Sequence, residues 1–357
     1  MLSARPAVQN LKEYHPPVGG RVGLRLDFNE NTQGASPRVL ERLRQLDAES
    51  LARYPDREPV EREVAAFLRI APAETLLTNG VDEAIHLLCQ TYLEAGCEAI
   101  VAVPTFSMYE LFAAGSGASV IPVMADDNFR FPTARLLNTI NARTRLIAVA
   151  NPNNPSGAKA SSRDLLAIAA AAPEAAVLVD EAYFEFCGET VLNELAKVTN
   201  LFVARTFSKA YGMAGLRIGV LIGSAAQMQM VRKVASPYNV NAVALAALPA
   251  ALQDQAYVER YVAEVRSGRE RLETWLNSRG IRYWPSHANF VLANFGSLAQ
   301  GFVQAMSQRG ILVRDRSGDP GCAGCIRMTL GTSSDTDRLS AALEEAVQQI
   351  GWVRRTG

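Results

Sequence analysis

Lysine is scarce in this chain: Lys12, Lys159, Lys197, Lys209 and Lys233 are the only five among 357 residues, so 31 of the 36 basic side chains are arginines. The 36 acidic residues cancel them, and zero formal net charge leaves no electrostatic footprint for nucleic acid or an anionic membrane. Cysteine is sparse, odd in number and scattered (Cys89, Cys97, Cys187, Cys322, Cys325), which excludes the dense disulfide framework of a small secreted domain. Cys322 and Cys325 make a C-x-x-C, but only His15, His86 and His287 occur, and no second ligand pair is spaced for structural zinc. Long apolar runs are missing too. The most apolar stretches are broken by Pro173, Glu174 or Pro249, and the start, MLSARPAVQNLKEYHPP, has no signal-peptide core. A compact cytoplasmic protein with neither a membrane nor a nucleic-acid partner is expected.

What is present is an alternation of short apolar runs and helical patterns between about residues 75 and 225, the signature of a parallel sheet covered by helices. The strand candidates Ala99–Val103, Leu146–Ala150, Ala176–Val179, Leu201–Ala204 and Ile218–Ile222 are apolar on both faces, as buried central strands are. Ser161-Ser-Arg-Asp164 opens the helix candidate Ser162–Ala172 in capping-box style. Beyond Pro237 the pattern changes to a long helical stretch reaching about Ser278. Strands near Asn289–Ala293, Ile311–Arg314 and Cys325–Leu330 follow, then a last helix opened by Ser334 or Asp335. The length exceeds what one growing core accommodates. An α/β fold is expected, with an N-terminal arm (1–44), a large cofactor-binding domain (45–236), and an interdomain helix with a smaller α+β domain (237–357).

The segment Arg205-Thr-Phe-Ser-Lys209-Ala-Tyr-Gly-Met-Ala-Gly-Leu-Arg217 carries the sharpest chemistry. It places one of the few lysines between two buried strands, with Thr206, Ser208 and Arg217 as phosphate-type ligands. Nucleotide binding would call for a G-x-x-x-x-G-K-[ST], which is lacking. A Schiff base to pyridoxal phosphate needs what is here: a lysine whose burial and cationic neighbour lower its pKa. Asp180 ends the run Ala176–Val179 and suits the protonated ring nitrogen of such a cofactor, with Tyr183 near the ring hydroxyl. Asn151-Pro-Asn-Asn154-Pro-Ser-Gly157 offers Asn154 to the ring oxygen. Thr78-Asn-Gly80-Val-Asp82 puts a glycine turn before a helix, so the backbone N–H groups of Val81 and Asp82 form an anion cup. Pro104-Thr-Phe-Ser-Met-Tyr109 supplies Tyr109, or Phe106, as an aromatic lid.

Taken in order, FNEN (Phe28–Asn31), RYPD (Arg53–Asp56), NGVDEAI, PTFSMY, NPNNPSG, VDEAYFEF, RTFSKAYGMAGLRIG and CIRMTLGT resemble the histidinol-phosphate aminotransferases, a branch of the fold type I pyridoxal-phosphate aminotransferases. The resemblance spans nearly the whole chain. It implies a homodimer and transamination of histidinol phosphate with 2-oxoglutarate in histidine biosynthesis. Lys209 would be the Schiff-base lysine and Asp180 the partner of the pyridine nitrogen, with Tyr183 and Asn154 on the ring oxygen. Tyr109 would stack on the ring, while Val81, Asp82, Thr206, Ser208 and Arg217 would surround the cofactor phosphate. Tyr54 would reach the partner subunit's site. Substrate-side positions map to Tyr14, Asn154, Arg314 and Arg327. Two departures, Thr32 for a usual proline and Val81 for a usual small residue, keep two alternatives open: relatives acting on aromatic amino acids, and relatives decarboxylating a phosphorylated threonine.

Overall fold

A computed structural model describes residues 2–13, 15 and 22–353. Its framework is a seven-stranded sheet built from β1 (Thr75–Thr78), β2 (Glu98–Val103), β3 (Ser119–Met124), β4 (Thr144–Ala150), β5 (Ala176–Asp180), β6 (Leu201–Thr206) and β7 (Gly219–Gly223). The spatial order is β1-β7-β6-β5-β4-β2-β3, with β7 antiparallel to both neighbours and every other pairing parallel. The fold is therefore the α/β class expected.

Strand alternation divides these apolar runs between two cores. Ile147, Val149, Val177, Val179 and Val203 enter the larger cluster, while Leu146, Ala148, Leu178, Phe202 and Ala204 enter a second beneath the helix Gly80–Tyr92. Each valine, leucine, isoleucine or phenylalanine among them contributes roughly 1.5–3 kcal/mol by leaving water, which rewards continuous rather than alternating hydrophobicity in central strands. The β1 and β3 strands were not among the expected ones. The first is four residues long; the second contains Pro122 and lies at the sheet edge with partly exposed residues, where proline forfeits no ladder bond.

The C-terminal part forms a second, antiparallel sheet of β8 (Arg282–Trp284), β9 (Phe290–Asn294), β10 (Arg314–Asp315) and β11 (Cys325–Thr329), in the order β10-β11-β9-β8. The long helical stretch is two helices, Ala242–Leu252 and Gln255–Ser278, separated at Gln253 and Asp254. The expected strand Ile311–Arg314 also divides. Ile311–Leu312 pairs in parallel with Leu24–Arg25 of the N-terminal segment, whereas Arg314 belongs to the four-stranded sheet. The last helix, Ser333–Gln349, is capped by Thr332 rather than Ser334 or Asp335; Asp335 is the third helical residue and closes the capping box. Ser161 caps its helix as expected, accepting from the Asp164 N–H.

Candidate active site

Because β1, β2, β4, β5 and β6 run in one direction, their C-terminal ends converge on one sheet edge. Strand order reverses between β2 and β4, so the loops after these two strands diverge and leave a crevice. A cleft of about 680 Å³ occupies this place, walled on the far side by β10, β11 and the segment Phe28–Glu30.

Lys209 follows β6 and lines the cleft, its Nζ donating to the Phe28 carbonyl at 3.0 Å. Burial, reinforced by Arg327 and Arg217, pushes its ammonium down to about 8. Asp180, at the end of β5, is buried; its Oδ2 accepts from the Tyr109 hydroxyl at 2.5 Å and its Oδ1 from the Ala182 N–H at 3.0 Å. Burial nevertheless raises this carboxyl to about 6, because both partners are neutral donors. Behind it the Glu181–Arg205 ion pair, at 2.9 Å and almost fully buried, ties the ends of β5 and β6 together.

The Thr78–Asp82 turn lies on the same edge. Gly80 has φ +76°, the left-handed region that favours glycine, and the Arg217 guanidinium lies directly over it, where a Cβ would stand 2.7 Å from its nitrogen and push it aside. No side chain caps the first turn of the helix Gly80–Tyr92, which leaves its N–H groups for a ligand. The Arg217 guanidinium pairs with Asp82 at 3.0 Å. The Thr206 hydroxyl accepts from the Ser208 N–H at 3.1 Å, whereas the buried hydroxyls of Ser208 and Thr78 have no partner. The orphaned Ser208 hydroxyl on the cleft wall, an uncapped helix start and a guanidinium are the donor set of a phosphate site.

In the loop after β4 the asparagines divide their work. Asn151 accepts from the Ala160 N–H, and Asn153 donates to the Pro104 carbonyl; both hold loop to loop rather than facing the cleft. Asn154 alone of the three lines the cleft, and its Oδ1 accepts from Arg327. Buried Arg327 also donates to the Asp27 carbonyl at 2.6 Å, and burial lowers it to about 10. Arg314 stands directly opposite Arg327 in the β10–β11 register, with its guanidinium 5.2 Å from the Phe28 ring centre.

The structure thus gathers Val81, Asp82, Tyr109, Asn154, Asp180, Tyr183, Thr206, Ser208, Lys209, Arg217, Arg314 and Arg327 around one cleft. Tyr54 is elsewhere: it is 81% exposed and stacks on Tyr238 with ring centres 4.4 Å apart. Tyr14 lies outside the described residues. Sequence reasoning gave no role to Asn29, which donates to the Tyr183 hydroxyl at 2.8 Å from 154 positions away, nor to Arg25, Glu30 and Arg316 in the cleft wall. FNEN flagged Asn29 and Glu30 as a motif, but only the fold shows what they touch.

The model of the family described as aminotransferase class I and II matches residues 21–343. The chain belongs to that family. This aminotransferase is 34% identical to the histidinol-phosphate aminotransferase of Geobacillus sp. (strain WCH70), over 91% of its own length and 90% of the relative's. It is 34% identical to histidinol-phosphate aminotransferase 2 of Methylococcus capsulatus, over 96% and 98%. The crystal structure of histidinol-phosphate aminotransferase from Sinorhizobium meliloti, a complex with pyridoxal-5'-phosphate, superposes with a TM-score of 0.87 at 28% identity, covering 97% of each chain. Fold type I architecture is common to both. Among the described residues of the aminotransferase no helix is long and apolar enough to cross a membrane, and no cluster of His, Cys, Asp or Glu is arranged for a metal ion.

Proposed function

We propose that this aminotransferase uses pyridoxal 5'-phosphate to transfer the amino group of histidinol phosphate to 2-oxoglutarate, giving imidazole acetol phosphate and glutamate in histidine biosynthesis. The observation that carries the reading is one cleft with a depressed-pKa lysine on one wall and paired guanidiniums, Arg314 and Arg327, on the other. The residues present fit the cofactor: the orphaned Ser208 hydroxyl and the uncapped helix start suit a phosphate, and the raised Asp180 carboxyl suits a cation. When bound, the cofactor supplies an electron sink for the bond electrons of the substrate Cα.

The chain supplies the rest. Lys209 as a neutral amine would form the Schiff base and carry the proton to and from the substrate Cα. Asp180, oriented by Tyr109, would hold charge opposite the pyridine nitrogen. Tyr183, oriented by Asn29, and Asn154 would hold the ring oxygen, with Tyr109 against the ring. Val81, Asp82, Thr206, Ser208 and Arg217 would enclose the phosphate. Arg327, Arg314 and Tyr14 would receive the anionic ends of the two substrates.

We also assign Tyr54 to the active site of a second copy, since it is exposed and outside its own cleft, which makes a homodimer the working unit, and we place the enzyme in the cytoplasm with the rest of this reading. The domain division at 44 and 236 belongs to the same reading. Kinetics of the purified holoenzyme with histidinol phosphate, phenylalanine, tyrosine and O-phosphothreonine test the substrate. Histidinol phosphate is expected to have the highest kcat/KM; an aromatic preference, or carbon dioxide release, would overturn the assignment.

A further inference from the structure

The far wall of the cleft holds a third guanidinium. Arg314 and Arg316 are two positions apart on one extended segment and both line the cleft, as does Arg327 across from Arg314. Elsewhere in the cleft arginine is matched: Arg25 pairs with Glu30, and Arg217 with Asp82. On this wall Asp319, ion-paired with Arg316, faces all three guanidiniums; their charges lower its pKa against the burial that raises it. Three guanidiniums gather around Asp319 here, more positive charge than that carboxylate balances, and the buried Nε atoms of Arg316 and Arg327 have no hydrogen-bond partner. Like charges held together in a partly buried wall are costly unless an anion joins them.

The loop carrying Arg316 is built to stay in place. Asp319 N–H donates to the Arg316 carbonyl, Cys322 N–H to Asp319, Cys325 N–H to Cys322, and Arg316 N–H to Cys325, all at 2.9–3.0 Å. Cys322 and Cys325 are fully buried against Phe129, Trp284 and Leu292, and the Asn294 amide donates to the Cys325 sulfur at 3.4 Å. The C-x-x-C motif thus anchors this loop.

We propose that Arg316, held by Asp319 and this chain of turns, is a specificity-determining residue that joins Arg314 in gripping the dianionic phosphate of a phosphorylated amine substrate. The excess positive charge matches a dianionic phosphate monoester, which histidinol phosphate carries on the carbon that in glutamate is the α-carboxylate, better than that singly charged carboxylate. The inference rests on the substrate reading above, so its test includes a probe independent of that substrate.

In the holoenzyme, kcat/KM for histidinol phosphate and for glutamate, and competitive inhibition by inorganic phosphate, are measured for wild type, Arg316→Gln and Arg316→Lys. Arg316→Gln is expected to lose about tenfold to a hundredfold in kcat/KM for histidinol phosphate, mainly through KM, less for glutamate, and to bind phosphate correspondingly weakly. Arg316→Lys, keeping charge without the planar fork, falls between. Equal losses for both substrates, or wild-type phosphate inhibition in Arg316→Gln, would overturn the proposal. A wild type that binds phosphate through Arg316 yet transaminates a different amine would uphold this anion site and refute the histidinol phosphate reading instead.

Discussion

The two walls of the cleft are built on opposite electrostatic plans. On the edge of the seven-stranded sheet, charges are matched or held by neutral donors: Arg217 by Asp82, Arg205 by Glu181, Asp180 by the Tyr109 hydroxyl. What that wall leaves open is a set of neutral hydroxyls and backbone N–H groups. The opposite wall, on β10 and β11, concentrates guanidiniums around one carboxylate. A wall of satisfied charges and spare neutral donors suits a cofactor that stays, because little must rearrange when it binds. A wall with uncompensated charge suits ligands that come and go, because each anion relieves a repulsion and leaves it behind on departure.

Substitutions on the two walls should therefore fail differently. The largest effect belongs to Lys209→Ala, expected to cut transamination by about 10⁴-fold while pyridoxal phosphate is still bound without covalent attachment. Borohydride reduction with peptide mapping checks it; a label on any other lysine would assign the bond elsewhere. Asp180→Asn keeps the shape but removes the charge, and turnover should fall about 10²- to 10³-fold with a much smaller change in cofactor affinity. Near-normal turnover would mean that another group serves the ring nitrogen.

On the opposite wall, Arg327→Ala should reduce kcat/KM by about a hundredfold in both half-reactions, since it leaves Asn154 and the Asp27 carbonyl unpaired as well as the substrate. Arg314→Ala should weaken chiefly the phosphorylated substrate, and stopped-flow measurement of each half-reaction separates the two. The smallest effect is on pH. The amine that captures cofactor is the neutral form, and lowering the Lys209 pKa to about 8 means that uptake by the apoprotein rises about tenfold from pH 7 to a plateau above 8. A rise continuing to pH 10 would show an amine with an ordinary lysine pKa.

Most of the cofactor wall was legible along the chain. Its residues follow strands that are buried on both faces and therefore conspicuously apolar, and a parallel sheet delivers all their C-terminal ends to one edge. Asp180, Asn154, Lys209 and the turn at Gly80 needed only that rule. Where burial was one-sided or short, as at Thr75–Thr78 and the edge strand with Pro122, the pattern faded and those strands went unread. The asparagines of NPNNPSG look equivalent in sequence. Which of them faces the cleft depended on Pro104 and Ala160 being within reach of the other two.

What the amino-acid sequence determined by itself, then, is the class of sheet, the edge at which the chemistry sits and the side chains that the strands deliver there, because each depends on residues a few positions apart. The tertiary structure alone decided that Asn29 orients Tyr183 from 154 positions away, that Arg314 faces Arg327, and that Arg316 lines the same cleft wall beside Asp319. Those are contacts between segments with no shared periodicity, and charge balance across a cleft is a property of distance in space, on which the order of residues along the chain places no constraint.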